Sequence, residues 1–102
     1  MKNIGVDLTK ISRFANKDIN FAKRILSISE LAIYKKVPKE RKPLFLARTW
    51  AIKEAIFKAN NDYAKFTEID LSKKDKKWVF KNFSISISHD DDFIIAFVVE
   101  ND

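Results

Sequence analysis

Residues 44–59 read LFLARTWAIKEAIFKA, a run without Gly or Pro whose apolar side chains cover most of a helical circumference. Pro43 stands just before it, where the first turn of a helix tolerates proline, and Asn60-Asn61 stand just after. The stretch predicts a helix buried on nearly every side, with Asn61 closing it in the left-handed conformation. Glu54 and Lys58 lie four apart and so share one face. Two readings are open: a solvated pair contributing roughly 0.2–0.5 kcal/mol, or a carboxylate and an ammonium kept in an apolar rod for chemistry.

Upstream, residues 2–9 read KNIGVDLT and alternate as a strand does, with Ile4, Val6 and Leu8 on one side and Gly5, Asp7 and Thr9 on the other. An acid is depleted in strands and costly to bury. Asp7 therefore either faces water from an edge strand or, beside a glycine that lacks a side chain, marks a close approach by a ligand or another backbone.

Between strand and helix, three helical segments are expected: Ile11 to about Phe14, Ile19 to about Leu26, and Glu30 to Lys36 capped by Ser29. Phe14, Phe21, Ile25, Leu26, Leu31 and Ile33 are the candidate core or contact residues. Arg13, Lys17, Lys23 and Arg24 make this region basic, either as a solvated face or as a dock for an acidic partner helix. The turn VPKERK, residues 37–42, brings Arg41 and Lys42 where they could hold phosphate.

Downstream, residues 66–71 read as a strand, 72–77 as a charged turn whose lysines are a solvated face, and 78–80 as a short strand. The clearest β signal follows. Phe83, Ile85 and Ile87 alternate with Ser84, Ser86 and Ser88; His89 to Asp92 make a turn; Phe93 to Val99 return as a continuously apolar strand. His89, the only histidine, is either a surface residue or a functional group at a strand end.

A chain of 102 residues predicts one domain, 1–102, of α+β class: an antiparallel sheet packed on a long buried helix. Hydrophobic residues make up 46%, enough for a packed core, and no run approaches the roughly 20 apolar residues of a membrane span. Without cysteine, thiol nucleophiles, disulfides and thiolate metal sites are excluded. A soluble cytoplasmic protein is expected. Its formal charge of +6 favours anionic partners without choosing among them. There is no GxSxG elbow, Walker loop or GxGxxG. Asp7 and Glu54 can instead serve Mg²⁺, which takes one or two protein carboxylates and completes its shell with water and phosphate oxygens, with Lys58 beside the same phosphates.

Three segments taken in order, IGVDLTKISRF, FLARTWAIKEAIFKA and ISISHDDDFIIAFVV, resemble the holo-acyl-carrier-protein synthases, small 4′-phosphopantetheinyl transferases. The first is similar to the family's G-x-D-[IL]-x-x-I-x-R opening, the second to its W-A-x-K-E-A-x-x-K-A helix, the third to its S-x-S-H hairpin. The resemblance implies Mg²⁺-dependent transfer of 4′-phosphopantetheine from coenzyme A to a serine of an acidic acyl carrier protein. It places the metal carboxylates on Asp7 and Glu54, the helix lysine on Lys58 and the hairpin histidine on His89. Arg41, Lys42, Arg48, Asn61 and Ser88 are the expected substrate contacts, and Arg13 would meet the acidic carrier helix. For the serine proton, a water on the ion beside Asp7 or Glu54 is the first choice of base and His89 the second. A homotrimer with active sites between subunits is implied, without membrane or nucleic-acid partners. The chain departs from the pattern in three places. Thr49 stands where the family usually has Arg, with Arg48 one position early; Asn60-Asn61-Asp62 replace a Gly-rich turn; and the helix before the final hairpin is missing between Phe80 and Phe83. The alternative of another class is a non-catalytic basic module that binds nucleic acid or an acidic protein.

Overall fold

The computed structural model describes residues 3–102. Its centre is α3, Lys42–Ala59, which starts two residues before the expected helix and holds Pro43 in its first turn. Phe45, Leu46, Ala47, Thr49, Ala51, Ile52, Lys53, Ala55 and Ile56 are buried along it, so the helix is enclosed on most of its circumference. The closing residue is not left-handed. Asn60 is extended (φ −151°, ψ 107°), and Asn61 Nδ2 donates to the Phe57 carbonyl at 2.8 Å, so a side-chain amide does what a left-handed residue would have done.

Against α3 lies a three-stranded antiparallel sheet in the order β1-β5-β4, formed by Asn3–Lys10, Phe93–Glu100 and Phe83–Asp90. Lys2, where the first strand was expected to begin, lies outside the described residues. Gly5 explains how close the sheet comes: a Cβ there would collide with the Ala55 carbonyl and sit 2.9 Å from the Ala59 nitrogen. The close approach read at Gly5 is that of another backbone. It turns Gly5, Asp7 and Thr9 toward the helix and leaves Ile4, Val6 and Leu8 on the outside.

The hairpin β4-β5 turns on two residues, Asp91 (φ 53°) and Asp92, not on the four expected. His89 is therefore a strand residue, paired with Ile94. The apolar run of β5 is not buried on both faces: Ile94, Ala96 and Val98 are sealed, whereas Phe93, Ile95 and Phe97 are exposed. Register aligns Ile4 with Val99, Val6 with Phe97 and Leu8 with Ile95 on that outer face.

Preceding α3 are a 3-10 helix at Ile11–Phe14, α1 (Ile19–Ile25), α2 (Ile28–Lys36) and a 3-10 turn at Lys39–Arg41. Ser27, not Ser29, caps α2: it accepts from the Glu30 N–H while the Glu30 side chain accepts from the Ser27 N–H, a reciprocal capping box. Phe14, Ile25 and Leu26 are core and Phe21 and Leu31 flank it, but Ile33 is exposed. After α3, the segment expected as a strand is a 3-10 helix at Phe66–Glu68, from which Ile69 and Leu71 insert into the core. The expected charged turn is a small hairpin, β2 (Ser72–Lys74) with β3 (Lys77–Val79), closed by Asp75 and Lys76 at φ 53° and 67°. A tight turn in which Phe83 N–H donates to the Phe80 carbonyl joins β3 to β4, the shortened connection expected there. No helix among the described residues is long and apolar enough to cross a membrane.

Candidate active site

The contact at Gly5 sets Asp7 opposite the last two turns of α3. Lys58 Nζ donates to Asp7 Oδ1 at 3.1 Å and to the Val6 carbonyl at 3.0 Å. Lys58 thus turns to the strand acid instead of forming the plain helical pair with Glu54. The Asp7 side chain is only 13% exposed against 50% for Lys58, so the lysine reaches down to a carboxylate sunk between strand and helix.

Asp7 Oδ2 is buried and finds no hydrogen-bond partner among the described residues. A buried carboxylate oxygen left bare costs free energy unless a cation or donor meets it. Glu54 belongs to the same group: burial first, and then the negative charge of Asp7, hold its carboxyl above the ordinary glutamate range, while Lys58 and Arg13 pull it back. Two carboxylates thus press on one another with one bare oxygen between strand and helix. That donor set fits a hard divalent cation, Mg²⁺ in particular. Among the described residues no third His, Cys, Asp or Glu joins them, so water and substrate oxygens must complete the shell.

Arg13 closes this group on one side. Its Nη1 donates at 3.1 Å to Thr9 Oγ1, a buried hydroxyl on the same face of β1 as Asp7. Thr9 was not singled out in the sequence; its place in alternation with Asp7 was the available signal.

The remaining expected residues are spread more widely. His89 lies on the helix side of the sheet, but in the row of Ile94 and Thr9 and two strands from β1, about 10 Å across at ordinary strand spacing. Its Nε2 lies 3.0 Å from the Asp91 carbonyl. Within one chain the structure does not bring it to Asp7 and Glu54. Ser88 points to the opposite, outer face, paired with Ile95. Arg41 and Arg48 line one groove of about 540 Å³ with Ile33, Val37, Leu44 and Phe45. The Arg48 guanidinium lies 5.1 Å from the Trp78 ring centre and 5.8 Å from that of Phe45; its Nε is buried with no partner among the described residues, and burial lowers its pKa. Lys42 diverges from Arg41, lying 4.8 Å over the Tyr34 ring in a different groove. Asn61 spends its amide on the helix end.

The sequence model of the 4′-phosphopantetheinyl transferase superfamily matches residues 3–98. A holo-[acyl-carrier-protein] synthase of Mycoplasma mobile is 53% identical over 102 residues, spanning 100% of this chain and 92% of that protein. A holo-(acyl-carrier-protein) synthase from Bacillus anthracis, solved in complex with CoA (3′,5′-ADP), superposes with a TM-score of 0.84 at 29% identity, over 95% of this chain and 93% of the other. The enzyme of the same name from Neisseria meningitidis superposes equally well, TM-score 0.84 at 26% identity, over 98% of both chains.

Proposed function

The chain belongs to the 4′-phosphopantetheinyl transferase superfamily, and from that premise we propose how its residues carry the reaction. It is a holo-acyl-carrier-protein synthase: it transfers 4′-phosphopantetheine from coenzyme A to a serine of apo-acyl carrier protein and releases adenosine 3′,5′-bisphosphate. The observation that carries the assignment of its chemistry to a place is the meeting of Asp7, Glu54 and Lys58 at the seam of β1 and α3.

The serine oxygen bonds to the β-phosphorus as the bond from that phosphorus to the bridging oxygen breaks, and the bisphosphate leaves with the electron pair. Negative charge grows on the bridging oxygen. Asp7 and Glu54 would hold Mg²⁺, which when bound would supply charge neutralisation for the phosphates. Lys58, tethered by Asp7 and the Val6 carbonyl, offers its remaining N–H to the departing phosphate. The serine must lose its proton as it attacks, and a water beside Asp7 and Glu54 is the acceptor we assign, with His89 as the second choice. Arg41 and Arg48, with Phe45 as the aromatic wall, form a cationic groove suited to the nucleotide end of coenzyme A, and Trp78 meets the Arg48 guanidinium from the adjoining groove. Arg13 faces the acidic carrier.

The outer face of the sheet supports a homo-oligomer. Leu8 is 59% exposed and Phe97 44%, in a contiguous field with Ile4, Val6, Phe93 and Ile95, more apolar surface than a soluble monomer ordinarily leaves bare. A trimer that buries this face would bring Ser88, on the same outer face, to a neighbouring subunit, with His89 beside it at the end of β4. The single domain 1–102 is then complete only in assembly, in the cytoplasm where its substrates are made.

The test is mass spectrometry of apo-acyl carrier protein incubated with coenzyme A, Mg²⁺ and this protein. A phosphopantetheine mass gain that disappears with EDTA is expected. No mass gain, together with steeply salt-dependent nucleic-acid binding, would replace the transferase by a basic binding module.

A further inference from the structure

We propose that Asp92, in the turn between β4 and β5, is a positioning residue that sets Arg13 for docking of the carrier protein, acting through Ser12. The inference rests on the transferase reading above and deepens it.

The 3-10 helix Ile11–Phe14 begins after Lys10, which supplies no side-chain cap. The first N–H groups of a helix need partners from elsewhere. Here they come from the far end of the chain. The Asp92 carbonyl accepts from the Ile11 N–H at 2.8 Å. Asp92 Oδ1 accepts from the Ser12 N–H at 3.0 Å, and Oδ2 accepts from the Ser12 hydroxyl at 2.6 Å. One residue therefore fastens the helix by three hydrogen bonds, two of them to a charged acceptor. Arg13 is the next residue along. Its other restraint is the bond to Thr9 Oγ1. With the Asp92 carboxylate removed, the Ser12 N–H and hydroxyl lose their acceptors, and only the main-chain bond from Ile11 still holds the backbone that aims Arg13.

Charge and position predict opposite signs, which makes the inference decidable. Asp92 is the last of three consecutive acids, Asp90 to Asp92, beside Arg13, so by charge alone its removal would help an acidic carrier to bind. By position its removal harms binding, because Arg13 is no longer presented. Loss of hydrogen bonds to a charged group outweighs one exposed like charge, so an increase in carrier KM of about five- to tenfold is expected.

The experiment is steady-state transfer by the wild type, Asp92→Ala, Arg13→Ala and the double variant, varying carrier protein and coenzyme A separately. Asp92→Ala should raise the carrier KM by about that factor, leave the coenzyme A KM unchanged, and add nothing to Arg13→Ala in the double variant. A lowered carrier KM, equal increases in both KM values, or effects that multiply with Arg13→Ala would overturn the assignment. Should Asp92→Ala not fold, Ser12→Ala, which deletes one hydroxyl, is read by the same three criteria. Absence of transfer by the wild type would instead overturn the functional reading on which the inference stands.

Discussion

Lys53 Nζ lies 2.6 Å from Glu30 Oε1, with the two side chains 0% and 5% exposed. The same ammonium donates to the carbonyls of Ile25 at 2.8 Å and Phe66 at 2.7 Å, while Glu30 accepts from the N–H groups of Ser27 and Leu71. Two charged side chains thus tie together the end of α1, the start of α2, the middle of α3 and the segment before β2. Burial pushes the Lys53 pKa down, and the hydrogen bond and charge of Glu30 work against it. Glu30→Ala, which strands the ammonium, should cost about 3–5 kcal/mol. Lys53→Met should cost less, because Glu30 keeps its two backbone donors. Urea denaturation of the two variants measures the order.

Asp70 gives a pH signature. Its carboxylate accepts from the hydroxyls of Ser27, at 2.6 Å, and Ser29, and these bonds hold its pKa below the ordinary 3.8. A depressed acid contributes stability above its unfolded pKa and loses it as the pH falls through the folded one. Asp70→Asn should therefore be less stable than wild type at neutral pH, with the gap closing below pH 3.8. Thermal melts across the acid range test this; a gap that persists unchanged to low pH would contradict it.

At the proposed metal site, stability and function should separate. Asp7→Asn removes a charge whose Oδ2 has no partner among the described residues and weakens a bond to a half-exposed lysine. The protein should stay folded within about 1 kcal/mol of wild type. It should lose both phosphopantetheine transfer and any rise in melting temperature on addition of Mg²⁺. Glu54→Gln should do the same. Retention of the Mg²⁺-induced rise in either variant would remove that carboxylate from the site.

The exposed sheet face predicts assembly. Leu8→Glu or Phe97→Glu sets a charge in the apolar field formed with Ile95 and Val6. Either should yield a folded monomer where the wild type sediments as an oligomer, with activity lost in parallel. Sedimentation velocity decides, and a wild type that stays monomeric at high concentration would argue against a site shared between subunits.

The long helix, the first strand and the final hairpin were legible because each has one dominant period and turn chemistry that agrees with it. The pairing of Asp7 with the helix was half legible. Gly5 announced a close approach but could not say whether backbone or ligand made it. The buried Lys53 was hidden for the opposite reason: a helix apolar all round offers no polar face against which a misplaced lysine stands out. Ser27-Ile28-Ser29-Glu30 carries the spacing of a capping box, yet Ser29, adjacent to the acid, competes for the same reading. Ile69 and Leu71 alternate like a strand and are buried, with Phe66 packed against the core, but among the described residues no strand pairs with 66–71. The lysines of β2 and β3 disguised a hairpin as a loop; Trp78, lying under Lys73 at 4.7 Å, is what fastens it. His89 was placed in a turn because four polar residues follow one another, whereas the chain reverses on two.

The missing side chain at Gly5 has a further consequence. Since β1 and α3 meet main chain to main chain there, the backbones that carry Asp7 and Glu54 stand at a separation that no repacking of interior side chains can adjust. An ion held by Asp7 and Glu54 would have to fit that fixed spacing through the rotamers of those two side chains. A drift in metal preference among variants would have to begin at this one seam, or in the loosely held water and phosphate on the open side.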